Sequence, residues 1–355
     1  MLTLKKVALH KVTAAIFRAT GAPDDLAAQV ADVLVDNHLT GHDSHGILRI
    51  PEYVQSVRAG EIAPAARPYV LEESPTSALV SGNWAFGQVT GLFAADLAIE
   101  KAKRERVAVL SVVQAGHTGR LAAFTERAAR QGVVMFMAIG TVNKPMTAPY
   151  GGSAPVLGTN PVAFSIPNPA GSPITLDFAT SAIARGKIKQ AEATHEQLPP
   201  NAILDSQGRP STDPHAFFDG GFLLPFGGHK GYALAVIAEL LSGPLAGADA
   251  YPGVTSRSGI FIFTVDATVF RPLADYERSL AKTLGRIKAV PPGPGFEEVL
   301  LPGEPEARAR IRRERDGIPI PEDTWHAVCN VGAELGVNVE AVAQDEDILR
   351  PGKGE

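Results

Sequence analysis

The stretch GHDSHGILR, residues 41–49, places two histidines, a serine and an arginine within nine positions. An imidazole exchanges protons near neutral pH, and a guanidinium grips a carboxylate through two parallel hydrogen bonds. Ser44, His45 and Arg49 therefore suit a small acid that carries a carbonyl or hydroxyl beside its carboxylate. If the stretch is helical, His45 and Arg49, four apart, project from one face, with Ser44 placed to orient the imidazole. Other readings stay open on these residues alone. Ser44 can cap a helix, with Arg49 solvated and Pro51 ending or kinking that helix early. His42 and His45 can begin a metal site, as in a metal-dependent hydrolase, but no further ligand stands at suitable spacing, so no metal is expected. A binding protein without catalysis is the last of them.

Three further segments are glycine-containing turns that open a helix: AGHTGRL (115–121), PFGGHKGYALA (225–235) and LPGEPEARAR (301–310), with Pro305 at a first helical position. Helix N-termini present free N–H groups and a positive dipole end, so three of them together could hold a dinucleotide. The chain has no G-x-G-x-x-G between a strand and a helix, no G-x-x-x-x-G-K-[ST], and no G-x-S-x-G. A Rossmann site, a P-loop and a nucleophile elbow therefore lack support.

The elements that must position these residues follow from periodicity. Pro23, Asp24 and Asp25 suit a helix N-terminus, and Leu26, Val30, Val33 and Leu34 recur at helical spacing until Gly41. The first eighty residues read as helical. Strand-like runs are SALVSG (77–82), VAVLSVV (107–113), VVMFMAIG (133–140), VAFSIP (162–167), ITLDFA (174–179) and GIFIFTV (259–265). Helices are predicted from about Gly119 to Arg130 and from about Lys230 to Leu245. The charged part from Glu304 onward is helical, and its end, QDEDILRPGKGE, is expected to fray. The class is α/β or α+β, a helical N-terminal region packed on a sheet-containing body.

A chain of 355 residues with 45% hydrophobic and 20% charged residues is an ordinary globular protein of roughly two domains. Its 35 glycines and 28 prolines point to many turns. A net charge of −5 and the lack of a basic run argue against a nucleic-acid partner. The single cysteine, Cys329, excludes an internal disulfide and fits a reducing cytoplasm. His10, Lys11 and Thr13 interrupt anything like a signal sequence, and no apolar run approaches the ~18 residues of a spanning helix. The expectation is a cytoplasmic protein without a membrane partner.

Seven blocks in order carry a resemblance: LTGHDSHGILRIPEYV (39–54), AFGQV (85–89), GHTGRL (116–121), GTNPVAFSIP (158–167), LDFATSAIARGK (176–187), LPFGGHKGYALA (224–235) and LPGEPEARARIRRERDGIPI (301–320). From about residue 5 to 340 the chain resembles the malate/L-lactate dehydrogenase family that lacks a Rossmann fold and includes ureidoglycolate, sulfolactate and imino-acid oxidoreductases. GHDSHG, LDFATSAIA, HKGYALA and GIPIPEDTWHAVC look most like its hydroxycarboxylate dehydrogenase branch, which reduces 2-oxo acids.

The resemblance implies an α/β fold with a mostly antiparallel central sheet and flanking helices, a homodimer, and NAD or NADP as cofactor. It implies a helical N-terminal region with the catalytic histidine (1–75), a cofactor-binding body (76–300) and a C-terminal helical segment packing back on it (301–355). Carried over by motif, His45 exchanges the proton, Ser44 is its hydrogen-bonding neighbour, His117 lies by nicotinamide and substrate, and Arg49 and Thr159 bind substrate. Gly119, Arg120 and Leu121 form a cofactor turn; Thr175, Leu176, Asp177, Phe178 and Ala179 line the cofactor; His229 and Lys230 contact the nucleotide; Gly303, Glu304, Pro305 and Glu306 form a second dinucleotide turn. The implied reaction interconverts 2-hydroxy and 2-oxo acids, with NADPH-dependent cyclic imine reduction as the alternative. Two departures stand out. Lys144 replaces a small or neutral residue, and Lys187 stands where imine reductases carry an acid.

Overall fold

The computed structural model describes residues 2–141, 145–251 and 258–344. In chain order it begins with β1 (Leu2–Leu4), α1 (Lys6–Ala19), α2 (Asp24–Leu39), α3 (Ile50–Arg58), β2 (Tyr69–Glu73), β3 (Ser77–Ser81), α4 (Gly87–Glu105) and β4 (Val107–Ala115). There follow α5 (Ala122–Arg130), β5 (Val133–Thr141), β6 (Val162–Ile166), β7 (Ile174–Phe178), α6 (Arg185–Thr194), β8 (Ile203–Leu204), β9 (Pro210–Ser211), α7 (Pro214–Phe218) and β10 (Phe222–Leu223). The chain continues through α8 (His229–Ser242), β11 (Ser258–Asp266), α9 (Leu273–Lys288), α10 (Glu304–Asp316), β12 (Ile318–Ile320), α11 (Glu322–Glu334) and α12 (Val339–Gln344).

All six strand-like runs are strands of one seven-stranded sheet, ordered β2-β3-β4-β11-β5-β6-β7. Only β3 and β4 run parallel. The period-two pattern explains how it is covered. On β5, Val133, Met135 and Met137 pack with α4 and α5, whereas Phe136 and Ala138 turn to the other face and meet Leu234 and Ala238 of α8. The sheet is thus a layer between helices, mostly antiparallel as the family resemblance implied.

A second core joins α1–α3 to the C-terminal elements through Phe17, Leu34, Ile47, Ile50, Trp325 and Val328. There β1 pairs antiparallel with β12, Leu2 opposite Ile320, so the first residues form a strand rather than a helix, and so do Tyr69–Glu73, since β2 pairs antiparallel with β3. The helix expected from Gly119 begins at Ala122, because Gly119 takes φ +88° and the chain is still turning there. The helix expected to reach Leu245 ends at Ser242, before Gly243 and Pro244. Lys144 and residues 345–355 lie outside the described residues.

Candidate active site

Residues 43–49 do not form an α-helix. They make two short 3₁₀ turns, Asp43–His45 and Ile47–Arg49, broken at Gly46, and Pro51 opens α3 instead of ending a helix. Gly46 is required for space: a Cβ there would lie 2.2 Å from the His38 ring. His38, buried at the end of α2, accepts the Ile47 N–H at Nε2 (3.0 Å). Its ring proton therefore sits on Nδ1, 2.9 Å from Asp43 Oδ1. Asn37 Nδ2 donates to the His45 carbonyl at 2.9 Å, and α10 reaches in with Arg313 to hold Asp43 at 2.5 Å. Two buried α2 side chains and one arginine thus fix the backbone that carries His45.

The Ser44 hydroxyl lies 3.0 Å from His45 Nδ1, so this serine serves the imidazole and caps no helix. The His45 ring stacks on His117 with centroids 5.8 Å apart. Burial, then the nearby His117, Arg49, His42 and Arg120, pull its pKa down to about 3. His45 is therefore a neutral base at ordinary pH. Arg49 donates from Nε to the Ser44 carbonyl (2.8 Å) and from Nη1 to Glu52 (2.6 Å). Those bonds use two of its five N–H donors and point the guanidinium back over the serine.

His117 sits in the turn after β4, with the Tyr53 hydroxyl 2.7 Å from its Nδ1. Gln88 Nε2 donates to the same hydroxyl at 2.9 Å. Neither Tyr53 nor Gln88 was named from sequence as a site residue, since their partners lie 29 or more positions away. Gly87, the first residue of α4, presses on the His117 carbonyl, where a Cβ would stand 2.2 Å away. Beyond His117, Arg120 is buried with Glu126 at 2.5 Å and Asp36 at 3.9 Å, and its Nε and Nη1 have no hydrogen-bond acceptor among the described residues. Leu121 is buried in the sheet-side core, so its side chain is packing.

The edge strand β7 joins the glycine turns. Asp177 accepts the Ala122 N–H (2.7 Å), capping α5 from outside, and burial pushes its carboxyl pKa up. Thr175 N donates to the Pro302 carbonyl (3.1 Å), and Gly303 (φ +88°) packs so close that a Cβ would lie 3.2 Å from Thr175 N. Glu304 turns back to accept the Leu301 N–H (2.9 Å) and pairs with Lys288, while Pro305 is the second residue of α10. Glu306 meets His42 Nε2 at 3.4 Å. The turns at 116–121 and 301–306 thus converge beside the His45 loop, and Leu176 and Phe178 face outward between them and the third turn.

At the other end of β7, the Thr159 carbonyl accepts the N–H (2.9 Å) and hydroxyl (3.0 Å) of Thr180. Phe226 N donates to the Thr180 carbonyl (3.0 Å), its ring packs edge-on to Phe178, and Ala179 is half-buried between them. His229 and Lys230 open α8 there, exposed, with His229 beside Tyr150. Lys187 is also exposed. Its neighbour Gly186, at the start of α6, faces Ser44, with a Cβ position 3.3 Å from that serine's Cβ. Among the described residues no three His, Cys, Asp or Glu side chains group to hold a metal ion, and no helix is long and apolar enough to cross a membrane.

Known proteins share this sequence pattern and fold over nearly the whole chain. Residues 4–329 match the malate/L-lactate dehydrogenase family. The chain is 34% identical to hydroxycarboxylate dehydrogenase B of Escherichia coli (strain K12), covering 94% of each. The structure of sulfolactate dehydrogenase from Methanocaldococcus jannaschii superposes with a TM-score of 0.86 at 34% identity, over 96% of this chain and 99% of that one. A Δ1-piperideine-2-carboxylate reductase from Pseudomonas syringae pvar. tomato superposes with a TM-score of 0.82 at 31% identity, over 93% and 100%. Family match, identity and fold agree: the chain belongs to the malate/L-lactate dehydrogenase family.

Proposed function

We propose that the protein is a nicotinamide-dependent oxidoreductase that interconverts 2-hydroxy acids and 2-oxo acids. The observation that carries this reading is the His45 imidazole, held neutral by burial and by neighbours that include Arg49, aligned by Ser44 and stacked on His117. Arg49 holds the substrate carboxylate. In oxidation His45 takes the proton of the substrate hydroxyl; in reduction it returns that proton to the carbonyl oxygen. His117 steadies the same oxygen as charge develops on it. A bound nicotinamide supplies or accepts the hydride at the adjoining carbon. The substrate carboxylate also offsets the positive surroundings of His45 and so raises its pKa, which lets the ring load a proton when the site is filled.

The residues present suit a dinucleotide. Gly119 and Gly303 keep two turns in left-handed conformations, and the buried Arg120 nitrogens Nε and Nη1 have no hydrogen-bond acceptor among the described residues. Thr175, Leu176, Asp177, Phe178 and Ala179 would run alongside it, with His229 and Lys230 at the far end. Either NAD or NADP is the cofactor. A homodimer in the cytoplasm completes the reading. Val109, Phe263, Phe136, Phe164 and Leu176 pair across five strands on one sheet face, and α9 fully buries none of Leu273, Leu280, Leu284 and Ile287.

The experiment is oxidation of NADH and of NADPH with a panel of 2-oxo acids, repeated with His45→Ala. The variant is expected to lose roughly 10²–10⁴-fold in kcat while still binding the reduced cofactor; a loss of only a few-fold removes His45 from the chemistry. The likeness to the piperideine-carboxylate reductase supports a second reading, cyclic imine reduction. Reduction of a cyclic imino acid with none of the 2-oxo acids turned over would establish that reading instead.

A further inference from the structure

We propose that Tyr53 and Gln88 are positioning residues that fix His117 as the tautomer with its ring proton on Nε2, so that this histidine serves the reacting oxygen as a hydrogen-bond donor. The inference rests on the proposed chemistry at His45 but is read from separate atoms. Tyr53 is 2% exposed, so its hydroxyl must find its partners inside the protein. One partner is Gln88 Nε2 at 2.9 Å. The orientation of that amide is set by its surroundings: the same nitrogen lies 3.5 Å from the His117 carbonyl and 3.4 Å from the Thr118 carbonyl, where an amide oxygen would face two other oxygens. Gln88 therefore donates, and the phenol oxygen accepts.

The phenol's own proton then has one place to go, His117 Nδ1 at 2.7 Å. Burial drives the Tyr53 pKa well up, so the proton stays on the phenol as a donor. A neutral imidazole that accepts at Nδ1 carries its hydrogen on Nε2. The AFGQV block explains itself on this view. Gly87 lets the start of α4 press onto the His117 carbonyl, and Gln88, the next residue, reaches the phenol. The two stacked histidines thereby divide the work: His45 moves the proton, and His117 donates a hydrogen bond to the same oxygen.

The test pairs Tyr53→Phe, which keeps the ring and removes only the hydroxyl, with ¹⁵N-histidine NMR of the full-length protein. Wild type is expected to show a protonated Nε2 and an unprotonated, acceptor-type Nδ1 at His117, and Tyr53→Phe a mixture of tautomers. In the assay Tyr53→Phe is expected to lower kcat roughly 10²-fold, as for loss of one aimed donor, with KM for the acid within threefold. Gln88→Leu should shift the spectrum the same way by a smaller amount. A proton on Nδ1 of His117 in wild type overturns the proposal, and so does a Tyr53→Phe variant with unchanged spectrum and kcat. If wild type turns over no 2-oxo acid, the proposed reaction fails while the tautomer is still decided by the spectrum.

Discussion

Arg313 holds Asp43 with both ends of its guanidinium, Nη1 at 2.5 Å from Oδ1 and Nη2 at 3.2 Å from Oδ2, and Nη1 also reaches the His38 carbonyl. It is the last of three residues on one face of α10: Glu306 meets His42, Arg310 meets Asp36, and Arg313 meets Asp43. One helix that begins at the 301–306 turn therefore grips the loop that carries His45.

The first prediction concerns that grip. Burial raises the Asp43 pKa, but hydrogen bonds from His38 and Arg313 more than offset it and leave the carboxyl at about 2. A carboxyl lowered on folding contributes stability above its unfolded pKa near 4, and that contribution is lost as pH falls toward 2. Asp43 is 43% exposed, so solvent screening limits the effect to about 1 kcal/mol. Unfolding midpoints of wild type and Asp43→Asn should therefore differ at pH 6 and converge as pH approaches 2. A gap that stays constant over that range would detach Asp43 from the acid response.

Gly46 supplies the second prediction. With a Cβ placed 2.2 Å from a fully buried imidazole, Gly46→Ala must displace His38 or the turn itself. The expected loss is about 1–3 kcal/mol, measured by denaturant unfolding. Activity should fall further than stability, because the displaced turn is the one that aims His45. A variant with wild-type kcat and an unchanged midpoint would show that the turn tolerates a side chain there.

Legibility followed sequence distance. The strands of the large sheet were readable because alternation on β5 and β11 records which face each side chain covers, a property of neighbours in the chain. The pairing of β1 with β12 joins residues at opposite ends of the chain, and three residues of LTL carry no sign of it. The same holds in the site. Ser44 beside His45 is a local contact and was visible. Tyr53 on His117 spans 64 positions, Arg313 on Asp43 spans 270, and nothing in IPEYV or RIRRE announces either. The four-residue spacing of His45 and Arg49 suggested one helical face, but Gly46, packed against His38, breaks the stretch into two turns.

A third prediction follows from the charge state of His45. Burial and then the positive neighbours hold its pKa at about 3, so the neutral base is present throughout the working range. In the oxidation direction kcat/KM should show no inflection from His45 between pH 5 and 8. In the reduction direction the free enzyme must acquire a proton, so kcat/KM should fall as pH rises across the same range. Arg49→Gln removes one of the charges that depress the ring and should move its titration upward. An oxidation profile bending near 6.5, the ordinary histidine value, would mean that these surroundings do not depress His45 in solution.

The last prediction turns on Arg49. Removing a guanidinium that pairs a substrate carboxylate costs about 2–5 kcal/mol, since the charge is left without its partner. That corresponds to roughly 30- to 5,000-fold in kcat/KM for Arg49→Ala. Arg49→Lys should recover only part of it, because an ammonium has no planar fork. Glu52 already occupies Nη1 at 2.6 Å and competes with the substrate's charge, so Glu52→Gln should lower KM for the acid by roughly threefold, the scale of an exposed ion pair. The control is a ketone or aldehyde analogue without a carboxylate. It should be a poor substrate for wild type and almost indifferent to Arg49→Ala. Equal losses on both substrates would place Arg49 in the support of the Ser44 turn, whose carbonyl it holds at 2.8 Å, rather than on the substrate.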